Sequence, residues 1–392
     1  MSKRKIDWKT ILIGIARAGF VTFLAFLFSF FFLEPLSFSA LSVFSAPEKR
    51  DFSITDLYAQ VANNRPVHTL DQDIILVDIG HSDRVQIAEI INQVKFWQPK
   101  VVGIDILFAK ETPDDSVLVS ALSEAAITII PVGLKENPSG YFEIEDKPFF
   151  YPDDKYIYAA SNMPSNYDGA TIREFVTEFP LKDNESILSY PMAIAKAYNP
   201  QSLEQLFQRN KKIETIDYAS REFITMTKED IMTDGSVLTD RIVLIGAISD
   251  GLDMHSSPVD SYISGLNIHA ASIATILNGN YFDPAFSCPA WLPACILCFL
   301  VLLVREFSKV QMRGFITRIL QFIIVYLAVR IGYSLYVDSH RIFDFSYTLL
   351  MVTFGLFAVD IWIGLEFLAK KSKNRVIRYI NKCQSILLNN RT

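Results

Sequence analysis

Long apolar runs lie toward the two ends of the chain, and a shorter-period pattern fills the middle. A membrane-spanning helix needs about 20 mostly apolar residues. Ile11 to Leu33 supplies one such run, interrupted by Arg17. Three more are predicted near the C-terminus: roughly Pro289 to Val304, Ile319 to Val337 and Phe345 to Leu368. The pattern therefore divides the chain into four regions. Residues 1–33 form an N-terminal segment with the first span, 34–288 one large domain, 289–368 three further spans, and 369–392 a short basic tail. A cleaved signal peptide is the rival reading of the first run. That run is long for a signal peptide, and Phe44-Ser45-Ala46-Pro47 is a poor cleavage site because Phe44 is not small, so an uncleaved anchor is expected.

Between the spans the period changes. Asp73 to Ile79 is apolar, β-branched and closed by Gly80, which predicts a buried strand. Val85 to Phe96 then places Ile87, Ile90, Ile91 and Val94 on one helical face. Val101 to Ile106 is a second strand, Asp114 caps a helix through Leu122, and Ile127 to Val132 is a third strand. Ser189 to Ala197 is a short helix. Arg241 to Gly246 is a further strand, followed by a helix from about Ile268 to Leu277. Residues 136–235, rich in Asp, Asn, Pro and Tyr, give no other secure element. Continuous apolar strands alternating with helices imply a mostly parallel sheet covered on both faces.

The composition, 50% hydrophobic, is close to that of an ordinary globular protein and conceals the spans. Charge reveals the orientation. Residues 34–288 carry 19 Lys/Arg and 37 Asp/Glu, a net of −18, whereas the rest of the chain carries +12. Lys3, Arg4, Lys5 and Lys9 precede the first span. Arg305, Lys309, Arg313 and Arg318 link the second and third, and Lys370, Lys371, Lys373, Arg375 and Arg378 follow the fourth. Basic flanks face the cytoplasm. The expected architecture is thus an α/β extracytoplasmic domain with a mostly parallel sheet, plus a four-helix transmembrane region, in a bacterial inner membrane. The acidic middle excludes a nucleic-acid surface, which needs clustered Lys and Arg. None of the four cysteines lies in 34–287, so that domain folds without disulfides, as its size allows. Cys295 and Cys298, spaced C-x-x-C in an apolar run, read as packing residues.

The strand endings, taken together, carry a resemblance. They are Val77-Asp78-Ile79-Gly80, then Gly103-Ile104-Asp105-Ile106-Leu107-Phe108, then Asp168-Gly169 with Arg173. Val243-Leu244-Ile245-Gly246-Ala247 follows, running into Asp250-Gly251-Leu252-Asp253, Pro258 and Gly265-Leu266-Asn267-Ile268-His269-Ala270. In this order, over about residues 50–282, the chain resembles the second class of CHASE domains, the cyclase- and histidine-kinase-associated sensory extracellular domains. The three spans that follow also look like that family. The resemblance implies an extracytoplasmic sensory module of bacterial signalling proteins, usually followed by three helices and a cytoplasmic output domain. The chain departs from the pattern in two respects. The Trp/Pro/Arg-containing segment expected after the first strand is mostly absent, and only 24 residues follow the last predicted span, too few for a catalytic domain.

Asp78, Asp105 and the loop from Gly246 to Asp253 fall at or just past predicted carboxyl ends of strands, where open parallel sheets bind ligands. Asp253, His255 and His269 join them if the sheet order permits, and these five are the candidate ligand-binding residues. The plainer alternative is that the acids cap helices and satisfy loop amides, and that His269 makes a core hydrogen bond. His81, Asp253, His255 and His269 match no zinc or calcium spacing, so neither a metal nor a cofactor is expected. Without a nucleophile elbow, P-loop or HExxH, no enzymatic activity is expected either. Charges within spans are costly and pair. By depth Arg17 matches Asp360, with Arg330 as the fallback partner. These readings converge on a non-enzymatic membrane sensor or scaffold that passes its state to a separately encoded output protein. Its basic segments meet membrane lipid, and homo-oligomers are open to it. The alternative is an effector whose helices oligomerise into a pore.

Overall fold

The structure, a computed structural model, describes residues 8–36, 53–64, 69–123, 127–164, 170–219, 221–251, 253–289, 291–307, 313–343, 345, 348, 349 and 351–354. The chain divides into two units, residues 41–283 and residues 1–40 with 284–392. The first apolar run folds as one helix, α1 (Trp8–Leu36).

In the unit 41–283, α2 (Ile54–Asn63) starts at a capping box in which Ser53 and Asp56 exchange hydrogen bonds. Asp56 is buried and also takes two hydrogen bonds of 2.8 Å from Arg173, so one guanidinium ties this first helix to a segment 117 residues further on. Next comes β1 (Thr69–Asp78), in which Ile74, Ile75, Leu76 and Val77 are all fully buried. Such a strand needs apolar cover on both faces. The first cover is α3 (Arg84–Phe96), capped reciprocally by Asp83 and Gln86, with Ile87, Ala88, Ile90, Ile91 and Val94 facing inward. Then follow β2 (Val101–Asp105), α4 (Asp115–Ser123), β3 (Ile127–Glu136), β4 (Phe142–Asp146) and β5 (Ile157–Ala160). Asp114 stands at the N-cap position of α4, its carbonyl accepting from the Leu118 amide at 3.4 Å, and Asp115 accepts from the Thr112 amide at 2.7 Å in the turn before it.

The segment that the periodicity left blank holds several short elements. Strands β6 (Glu174–Val176), β7 (Glu178–Pro180) and β8 (Ser186–Leu188) precede α5 (Tyr190–Tyr198) and α6 (Ser202–Arg209). Then come β9 (Ile213–Thr215), β10 (Arg221–Met226) and α7 (Lys228–Asp234). The pairs β6–β9 and β7–β8 are small antiparallel ribbons. The chain returns to the main sheet as β11 (Ile242–Gly246), makes a two-residue pair from β12 (Met254–His255) and β13 (Ile263–Ser264), and enters α8 (Gly265–Asn278).

The main sheet runs β10–β1–β11–β2–β3, and β3 then pairs with β5 in parallel and with β4 antiparallel. It is a mixed sheet of mostly parallel strands. Helices α3, α4 and α7 pack Ile91, Leu118 and Ile231 on one face. Helices α5 and α8 cover the other with Ile194, Leu266, Ala270 and Ile273. A further apolar layer beyond α5 and α8 includes Met192, Leu203, Ile216 and Ile268. This two-sided burial explains why α8 is apolar nearly all round. Gly103 in β2 sits under α5, where an added Cβ would come within 2.7 Å of both the Tyr190 hydroxyl and Ile194 Cδ1. The absent side chain lets α5 lie close to the sheet.

In the other unit, α9 (Trp291–Phe307) and α10 (Arg313–Ser339) join α1. Ala18 and Ala25 of α1 cluster with Ala294, Cys298 and Leu302 of α9 and with Met351. Small residues allow such close approach between apolar helices. Cys298 donates to the Met351 carbonyl at 3.3 Å and is a free thiol in this packing. Ile319–Ser339 within α10, with a mean hydropathy of 1.6, is the one stretch among the described residues that is long and apolar enough to cross a membrane. Ile11–Leu27 and Trp291–Val304 are shorter apolar stretches, and most of the fourth predicted span lies outside the described residues. Arg17 is half-buried and Arg330 is exposed. The expected Arg17–Asp360 pair cannot be placed, because Asp360 lies outside the described residues.

Candidate functional site

Three strand ends define the site. Asp78 of β1, Gly246 of β11 and Asp105 of β2 stand side by side in register. From β1 the chain crosses to β2 and moves on toward β5, and later returns to insert β11 between β1 and β2. The strand order therefore changes here, and the carboxyl ends of strands at such a change form the usual ligand crevice of open α/β sheets. The pleat sends Asp105 to the same face as Gly103 two residues earlier, under α5 and α8.

The five residues expected at this place divide into two groups. Asp78 is committed to the loops. Its Oδ1 accepts from the amides of Gly80 and Ile248, each at 3.0 Å, and of Ser249 at 3.4 Å. Burial works to raise its pKa, but hydrogen bonds from the Ser249 side chain and these amides outweigh it and hold the carboxyl below its usual value. Asp78 thus ties the end of β1 to the loop after β11.

The other four lie together. Asp105 has no hydrogen-bond partner among the described residues; burial, then the charge of Asp253, pushes its pKa up to about 7, against a smaller opposing effect of His255. Asp253 Oδ1 lies 2.8 Å from His255 Nε2. That contact, ahead of the opposing effect of burial, lowers the Asp253 pKa. The Asp253 backbone carbonyl accepts from Gly265, the first residue of α8, at 3.0 Å, and the Asp253 carboxylate occupies the space where a Gly265 side chain would stand. One turn into α8, His269 is buried, and burial takes its pKa down to about 4 despite the nearby Asp253.

Tyr190, the first residue of α5, is the member that sequence reasoning missed. It is fully buried, its ring centroid lies 4.9 Å from that of His269, and its hydroxyl reaches toward Gly103. The hydroxyl has no hydrogen-bond partner among the described residues, although it is close enough to feel the charge of Asp105. Ser189 Oγ, one residue before it, is also buried and without a partner among the described residues. In sequence, a tyrosine opening an apolar helix reads as core, and no spacing distinguishes it. His81 is exposed beyond Gly80. Among the described residues, no three His, Cys, Asp or Glu side chains converge in a metal-binding arrangement.

Two features connect this site with the rest of the unit. One is α8, whose 14 residues span about 20 Å at 1.5 Å per residue, from Gly265 beside Asp253 to Asn278. Five residues beyond its end, Asp283 closes the unit. The other is an ion cluster at that exit. Arg209 donates to Glu214 at 2.6 and 3.2 Å and to Asp283 at 2.8 and 3.0 Å, and Lys211 adds a contact to Asp283 at 2.9 Å. These hydrogen bonds, Arg209's first, hold the Asp283 pKa down to about 2.

A protein-family model for the CHASE2 domain matches residues 25–305. The match reaches further than the 50–282 expected from the strand endings, taking in the end of α1 and most of α9. Asp168, Gly169 and Leu252, which formed part of the resemblance, lie outside the described residues. No curated protein and no solved structure compared with the chain matches it. With some seven-tenths of its length matched by one family model, and with the expected mostly parallel α/β sheet in place, the chain belongs to the CHASE2 domain family of extracytoplasmic sensory domains.

Proposed function

We propose that this protein is a non-enzymatic, multi-pass sensor of a bacterial inner membrane. Its α/β unit lies outside the cytoplasm and binds a small polar ligand at the ends of β1, β11 and β2. Four membrane helices carry the resulting state inward, to a signalling output on the cytoplasmic side. The observation that carries this reading is the buried Tyr190 hydroxyl, left without a hydrogen-bond partner among the described residues at the change of strand order, near the half-buried Asp105 carboxyl. A buried polar group left unsatisfied costs about 1–3 kcal/mol, a cost that a ligand or water at this place would relieve. Helix α8 supplies the route, since it begins at the site and leads to the exit of the unit. The basic segments flanking the apolar runs meet anionic lipid headgroups on the inner face.

Cysteine accessibility tests the arrangement. With the four native cysteines replaced by alanine, Ser139→Cys, on an exposed turn after β3, should react with a membrane-impermeant maleimide in intact spheroplasts. Lys371→Cys should react only after permeabilisation. Labelling of position 371 in intact spheroplasts would remove the four-helix arrangement. The pore alternative draws on Arg330, exposed in the middle of the apolar α10. Leakage of a trapped dye from vesicles holding only this protein would favour it.

A further inference from the structure

Resting on the sensor reading of the strand-end site, we propose that Asp105, Asp253 and Tyr190 recognise a small organic cation, a primary ammonium group that donates one N–H to each. The sign of charge carries the first part of the argument. From Ile242 to Cys288 the chain holds no Lys or Arg, while Asp250, Asp253 and Asp260 lie in the loop that frames the site. Arg84, which follows β1, is engaged with Asp115 and with the rings of Phe108 and Phe149, beside the helices of the other layer. Arg173, which follows the Ile172 amide bonded to Ser256, is engaged with Asp56. A carboxylate or phosphate ligand between Asp105 and Asp253 would therefore meet two acids, at the cost of desolvating like charges.

Hydrogen-bond capacity carries the second part. Ionised carboxylates only accept, and a phenol oxygen can accept as well. Asp105 and the buried Tyr190 hydroxyl have no partners among the described residues, and Asp253 uses Oδ1 for His255. An ammonium group brings three donors and no acceptor, the complement of this set. Its positive charge would also offset the burial of Asp105 and return that carboxyl toward its ordinary ionised state. The same residues do not converge as a metal-binding group. The buried ring of His269, 4.9 Å from that of Tyr190, packs against the tyrosine.

Thermal unfolding of the full-length protein in detergent micelles at pH 7.5 tests this. The probes are methylammonium, ethanolamine and putrescine, set against acetate, inorganic phosphate, calcium and zinc at equal ionic strength. At least one amine should raise the unfolding midpoint in a saturable manner. Asp105→Asn should weaken that amine at least tenfold, Tyr190→Phe several-fold, and Glu204→Gln, on the exposed face of α6, not at all. If no amine raises the midpoint, or if Asp105→Asn and Glu204→Gln respond like the unaltered protein, the proposal is overturned. Saturable stabilisation by acetate, phosphate or a metal ion that is lost in Asp105→Asn would overturn the ammonium assignment and leave the sensor site standing.

Discussion

Asp105→Asn should stabilise the α/β unit at pH 8 by about 2–4 kcal/mol and leave it nearly unchanged at pH 4, because one pKa unit corresponds to 1.36 kcal/mol. In the folded protein the Asp105 carboxyl is raised to about 7 by burial and then by Asp253, from the ordinary 3.8 that it regains on unfolding. The folded state therefore holds this proton more tightly than the unfolded state. The favourable contribution is complete below about pH 4 and is lost as pH rises through about 7. Asparagine keeps the neutral shape and escapes the loss. His269 acts in the opposite sense. Its pKa is lowered to about 4 by burial, so its contribution is present above about 6.5 and is lost as pH falls toward 4. Asp253, His255, His269 and Tyr190 also surround the site, but they are common to both proteins, and the difference between variant and parent isolates Asp105. Urea unfolding in micelles at pH 4, 6 and 8 measures it, with Trp97 as the probe and Trp8, Trp291 and Trp362 replaced by phenylalanine. A difference that does not grow with pH would mean that Asp105 is not held neutral by its surroundings.

Arg209→Met should cost about 3–5 kcal/mol, the usual penalty for removing one partner of a buried ion pair. Glu214 is buried and receives two of the guanidinium's hydrogen bonds, so the substitution strands an acid inside the unit. The Tyr281 ring, with Arg209 stacked 5.0 Å from its centroid, loses cover as well. Adding Glu214→Gln should restore part of the loss, because the stranded charge is then gone. The same urea titration reads both. A double variant whose loss equals the sum of the two single losses would show that the two groups are not coupled. Asp283 is half-exposed, and its removal alone should cost far less.

The parts of this fold that are legible in sequence are those in which a single physical demand acts on consecutive residues. Ile74 to Val77, Val101 to Ile104 and Ile242 to Ile245 are covered on both faces, so they read as unbroken apolar strands. Helices α3 and α8 betray themselves by face and by composition. Strand β10 escapes because it lies at the edge of the sheet and alternates between exposed and half-buried positions, as Arg221, Glu222 and Phe223 show. The ribbons β6–β9 and β7–β8 are three residues per strand, too short for any period to register. At the site, Asp78 and Asp105 are legible from strand ends, Asp253, His255 and His269 join Asp105 only once the sheet order is known, and Asp78 is a loop tie of the kind such ends also require. Tyr190 could not be gathered in this way. Its role follows from the packing of α5 over Gly103, a contact between residues 87 positions apart. The Arg209–Glu214–Asp283 cluster is hidden for the same reason, since Arg209 and Asp283 are 74 positions apart and belong to no common pattern.

The central claim is that the state of the strand-end site reaches the membrane helices. A bimane fluorophore on Ser339→Cys, exposed at the end of α10, tests it in the full-length protein with the native cysteines replaced by alanine. Titration from pH 5 to pH 8 should shift the bimane emission with a midpoint near 7, where Asp105 gives up its proton. Asp105→Asn should abolish that step, while Leu118→Ala, which loosens the opposite layer, should retain it. An emission that stays constant across this range, or a step that persists unchanged in Asp105→Asn, would contradict transmission from the site to the membrane.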